Sequence, residues 1–177
     1  ASVRKPSRPT LDRRMMKGIH VRKIWFDDDV VELRVTVNDG RSLFSTDVYV
    51  GHEQLAEDVS GLNVFKTHVY GGLFNLRWGE FGPEYAGGAI HARLHFPKPG
   101  RLFITCKMQS EFEEFTVNKV ASEATLLLRT EPALLDRFIG ELGALSSGMS
   151  EEAEMETIQQ SPPPYSSPAA GSESGEA

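Results

Sequence analysis

Apolar and polar residues alternate with period two from Ala89 to Phe96 and again from Arg101 to Met108. One face collects Ile90, Ala92, Leu94 and Phe96, then Leu102, Ile104, Cys106 and Met108. This is the signature of two antiparallel strands with one face on a core and the other in water. Pro97-Lys98-Pro99-Gly100 between them supplies the preset and permissive φ values of a tight turn. The same alternation places Val31, Leu33, Val35 and Val37 on one face of a strand over 30–37, and Asn38-Asp39-Gly40 after it is a hairpin signal. Strands are also predicted over Ile19–Phe26, Arg41–Val50, Leu73–Trp78 and about 124–128, while Val64–Tyr70 is β-rich but ambiguous.

Two segments switch to helical spacing. Leu55, Val59 and Leu62 predict a short helix over 52–62. Leu134, Leu135, Phe138, Ile139, Leu142 and Leu145 predict a longer one over 132–145, opened by Glu131-Pro132 at its N-terminal turn. Burying those six side chains contributes roughly 9–18 kcal/mol gross, so this helix must dock on the apolar face of the sheet. The expected fold is α+β: an antiparallel, meander-like sheet of about six to seven strands with the short helix and the C-terminal amphipathic helix on one face.

Composition shifts at both ends. Residues 1–18 hold Arg4, Lys5, Arg8, Arg13, Arg14 and Lys17 against Asp12, and read as a solvated basic arm. Residues 146–177 hold six Glu and no base, in a run of Ser, Pro, Gly and Ala, and read as a disordered acidic tail. With a chain charge of −6 and ends of +5 and −6, the intervening 19–145 carries −5 and forms the domain. Its acidity argues against nucleic-acid binding except through the basic arm. The single cysteine, Cys106, allows no intramolecular disulfide and lies on the inward face; with no apolar leader or membrane-length run, a soluble cytoplasmic protein is expected.

Candidate chemistry is sparse. His91 and His95 share the polar face of their strand but stand ~13 Å apart at ~3.3 Å per residue, too far to share a metal. His20, His52 and His68 are scattered, and contiguous Asp27-Asp28-Asp29 lacks the spacing of a calcium loop, so no metal or cofactor is expected. Neither a Gly-x-Ser-x-Gly elbow nor a phosphate-binding Gly-Lys-Ser/Thr loop occurs. The Gly-rich loop 79–88 carries Glu80, Phe81, Glu84 and Tyr85, and aromatic anchors on a loop over a β scaffold are the pattern of a contact site. His91, Arg93 and His95 extend it. In the tail, Pro162-Pro163-Pro164-Tyr165 matches the Pro-Pro-x-Tyr ligand of WW domains, against a plain spacer role.

Three stretches carry a resemblance: Phe44-Ser45-Thr46-Asp47 before a short helix, Phe81-Gly82-Pro83-Glu84-Tyr85-Ala86-Gly87-Gly88 before an alternating strand, and Glu131-Pro132-Ala133-Leu134-Leu135-Asp136-Arg137-Phe138 opening the last helix. Together, over about residues 25–145, the chain resembles small bacterial domains that include immunity proteins of polymorphic-toxin systems. The resemblance implies a non-enzymatic protein-binding domain that blocks a toxin with a pre-formed surface, and the acidic body is compatible with that. The alternative is a structural, assembly or adaptor protein using its charged ends and the Pro-Tyr motif, with self-association into a homo-oligomer among its outcomes. A small enzyme using the aromatic loop as a lid is the weakest of the three.

Overall fold

The computed structural model of the chain describes residues 16–83 and 87–158. Its elements run β1 (Gly18–Phe26), β2 (Val30–Asn38), β3 (Leu43–Gly51), α1 (His52–Phe65), β4 (Leu73–Trp78), β5 (Ala89–Lys98), β6 (Arg101–Gln109), the short β7 (Glu113–Glu114) and β8 (Lys119–Val120), β9 (Glu123–Thr130), α2 (Pro132–Ser146) and β10 (Glu152–Glu156). All strand pairs are antiparallel, and the α+β class holds.

The strands divide into two four-stranded sheets rather than one, in the orders β10-β1-β2-β3 and β4-β5-β6-β9; β7 and β8 form a separate hairpin. Both sheets follow one rule. A three-strand meander leads into a helix, and the strand after the helix joins the other sheet. Thus β4, which follows α1, pairs with β5, and β10, which follows α2, pairs with β1. The chain uses one topological unit of three strands, helix and strand twice, and its halves exchange their last strands. The β7–β8 hairpin is an insertion in the second copy. The exchanged strands have matching outer caps: Gln54 of α1 donates from Nε2 to the Arg77 carbonyl at 2.8 Å, and Glu141 of α2 accepts from the Glu154 N–H at 2.8 Å.

Local chemistry explains the turns. Asp27 accepts from the N–H groups of Asp29 and Val30, both at 2.9 Å, and these bonds hold its carboxyl below the usual carboxylate range. Asp39 does the same for Arg41 and Ser42 in the β2–β3 turn. The helix starting at His52 runs on to Phe65, past the expected end at Leu62, because the buried Phe65 ring stacks on Phe96 at 5.0 Å. The expected faces of β2, β5 and β6 are buried, and one apolar cluster joins the inner faces of both sheets to both helices. Cys106 lies within it, and burial pushes its thiol up to about 12. No helix among the described residues is long and apolar enough to cross a membrane.

The acidic tail expected from Ser146 is corrected over its first part. Residues 152–156 form β10, with Ala153 and Met155 buried and Glu152, Glu154 and Glu156 outward. The alternation Glu-Ala-Glu-Met-Glu has only two apolar positions, both filled by small or flexible side chains, so composition masks it. The remaining residues, 159–177, lie outside the described ones, as do the first 15.

Candidate functional site

Strand alternation sends the odd-numbered residues of β4, β5, β6 and β9 to the outer face of the second sheet. Pairing sets them in rows. One row is Arg77, His91, Lys107 and Thr125; the next is Asn75, Arg93, Thr105 and Leu127; the third is Leu73, His95, Phe103 and Arg129. Arg77, Arg93, Lys107 and Arg129 are all exposed, and none makes an ion pair among the described residues. Aromatic rings lie under two of them. Lys107 Nζ stands 5.3 Å from the Phe81 ring centroid and the Arg129 guanidinium 5.4 Å from that of Phe103.

His91 reports the field of this face. Its Nε2 lies 3.0 Å from Asn75 Oδ1. Partial burial, and then Arg77, Lys107 and Arg93, depress its pKa below the ordinary 6.5, so the neutral ring donates from Nε2 to the amide oxygen at neutral pH.

The loop 79–88 joins this face at one end. Its neck is tight. Gly79 has φ +72°, and a Cβ there would overlap the Gly88 carbonyl. Gly88 itself is wedged against Thr46 and Asp47 of β3, where a Cβ would overlap Thr46 Oγ1. Gln109 anchors the loop by accepting from the Gly82 N–H at 3.1 Å and donating to Glu123 at 2.8 Å. Of the residues expected at the site, Phe81 reaches Lys107, Glu80 is exposed at the loop's start, and His91, Arg93 and His95 share the outer face of β5. Glu84 and Tyr85 lie outside the described residues, as do Pro162, Pro163, Pro164 and Tyr165. Arg77, Lys107, Phe103 and Arg129 were not singled out in the sequence. Their alternation was visible, but only the strand register places them beside His91 and Arg93.

The outer face of the first sheet is different. Arg34 grips Asp47 through two bonds of 2.8 and 2.9 Å, and Arg22 lies 3.7 Å from Glu152. His20 is not isolated, contrary to expectation. β10 brings Glu152 and Glu154 to 3.6 Å from its Nε2, a spacing of three donors that a divalent cation bridges, although all three are solvent-accessible and Arg22 already leans on Glu152. A cleft of about 480 Å³ opens beside β3, lined by Glu32, Asp47, Tyr49, Glu111 and Glu113 among others. Glu32, followed by Asp47 and Glu111, raises the Tyr49 phenol above its ordinary value. Cations here are matched by carboxylates. On the second sheet, among the described residues, they are not.

Comparison with protein-family models, characterised proteins and solved structures found no match.

Proposed function

We propose that the chain is a non-enzymatic binding protein, an immunity-like inhibitor that takes an acidic protein surface onto the outer face of its second sheet. One observation carries this reading: four exposed Lys and Arg side chains share a sheet face with no described carboxylate paired to them. At ~7 Å, two like charges repel by about 0.6 kcal/mol in water, and by more as a contact dries. A partner's carboxylates reverse the sign of that energy, which makes the face selective for an acidic surface and speeds encounter. Phe81, Phe103 and Leu127 among the cations supply apolar anchors. This reading keeps Phe81, His91, Arg93 and His95 of the expected contact set and rests on their basic face rather than on the net acidity of the body. The assembly reading keeps a separate observation, the edge of β9, which among the described residues is bonded only at Arg129.

The test pairs the full chain with the product of the neighbouring reading frame. Co-expression should relieve that product's toxicity, and Arg93→Glu with Lys107→Glu should weaken the complex by about tenfold or more while leaving the urea midpoint unchanged. Equal affinity of the double variant would remove the face assignment. A neighbouring product that is harmless or unbound would remove the inhibitor reading.

A further inference from the structure

Each of the four sheet edges takes at least one bond from outside its sheet, and these bonds fall at different places along the strands. β4 and β10 are capped by Gln54 and Glu141 from the helices. On β3 the Gly88 N–H donates to the Asp47 carbonyl at 3.0 Å. On β9 the equivalent bond is Ile158 N–H to the Arg129 carbonyl, also 3.0 Å, which closes only the last turn of that edge. Because N–H and C=O of alternate residues in an antiparallel strand point to the same side, this bond sets the phase of the edge: the main-chain groups of Glu123, Thr125 and Leu127 point away from β6. Leu127 is 69% exposed. Among the described residues no other group bonds to this edge, and an open edge of this kind is a template for another strand.

From this edge we infer that the protein forms a two-fold dimer in which β9 pairs antiparallel with β9 of a second copy, centred on Thr125. The charge order selects that occupant. Glu123 begins the free stretch and Arg129 ends it, with Thr125 and Leu127 between. Two antiparallel copies set the acid of each beside the base of the other, whereas parallel copies align like with like. Centring on Thr125 opposes Glu123 to Leu127 of the copy and leaves Arg129 diagonal to the copy's Glu123, within reach of these long side chains. It also clears Ile158, which obstructs the register one pair further along. Glu123 is prepared for the contact, since Gln109 holds one carboxylate oxygen and leaves the other for the arginine. Three residue pairs then exchange about six main-chain hydrogen bonds, and the interface is isologous and closed, so it stops at two. The two second sheets become one eight-stranded sheet with two cationic faces side by side.

Sedimentation velocity over a wide concentration range tests this. The full chain should pass from 19.6 kDa to twice that mass. Thr125→Pro removes only an N–H that faces outward, a position where edge strands tolerate proline, and should hold the chain as monomer with its circular dichroism unchanged. Glu123→Arg should weaken the dimer by about tenfold or more, and Glu123→Arg with Arg129→Glu should restore it. The charge pair decides the matter alone if the proline variant unfolds. A chain monomeric at every concentration, or a dimer indifferent to the charge reversal, overturns the inference.

Discussion

Met155→Ala asks whether β10 is part of the folded core or an acidic appendage. Met155 is 1% exposed and pairs with Ile19 across the β1–β10 ladder. It lines the same small internal void as Trp78, Ile90 and Phe138, so residues of both halves of the chain surround the space it helps to fill. Truncation removes three heavy groups beyond Cβ. At about 0.8 kcal/mol each the transfer loss is ~2.4 kcal/mol, and the cavity left among rigid ring neighbours raises the total to about 3 kcal/mol. Urea unfolding of the full chain measures it as a lower midpoint at constant slope. Met149→Ala is the control: Met149 is 86% exposed and the change should stay within ~0.5 kcal/mol. If Met155→Ala also stays within ~0.5 kcal/mol, β10 is not packed as described and the strand exchange fails with it.

Two further outcomes follow from local geometry. Gly88→Ala drives a methyl group into Thr46 Oγ1 and should destabilise by about 2–3 kcal/mol, whereas Gly140→Ala, in open space on α2, should stabilise by up to ~1 kcal/mol; equal midpoints would refute the tight neck of the loop. The imidazole of His91 should titrate below 6.5 by proton NMR and move upward in Lys107→Gln, with burial retaining part of the depression. Because the folded-state pKa is the lower one, the unfolded chain binds the proton first, so this site's contribution to stability is complete above about pH 6.5 and is lost as pH falls through the folded value. A titration unmoved by Lys107→Gln would mean that the cations do not converge on this ring.

What was legible in the sequence divides along the range of the interaction. Period-two runs in β2, β5 and β6 and the helical stripe of α2 are local, and each dictated its own buried face: Val31 to Val37, Ile90 to Phe96, Leu102 to Met108 and Leu135 to Leu145 are all inside. The partition into two sheets is not local. Nothing in Leu73–Trp78 says that it pairs with β5 rather than continuing a meander from β3, because antiparallel pairing preferences are nearly degenerate and the choice is made by where α1 leaves the chain. β10 escaped for a compositional reason, since its three Glu outweigh Ala153 and Met155 in any average over the segment. The site followed the same division. His91, Arg93 and His95 were found because they sit on one strand; Arg77, Lys107 and Arg129 come from three others and join them only through register.

The exchange of strands also constrains where function can sit. Each sheet takes its fourth strand from the other half, so the inner faces and helices are committed to a shared core and cannot diverge independently. The outer faces and the edges carry no such constraint, and there the two copies differ. In the first sheet, cations are answered by carboxylates across neighbouring strands, as Arg34 is by Asp47, and its free strand β3 is flanked by Gly88 and the cleft residues. In the second, the corresponding rows hold Arg77, Arg93, Lys107 and Arg129 without such answers among the described residues, and beyond the Ile158 bond no described group closes the edge of β9. A face that neutralises itself gains little from a partner, because each new ion pair must first break an old one. A face of unanswered cations beside free main-chain groups has both terms still to satisfy. Starting from one topology used twice, this departure from symmetry is what supports the proposal that the second sheet meets other molecules.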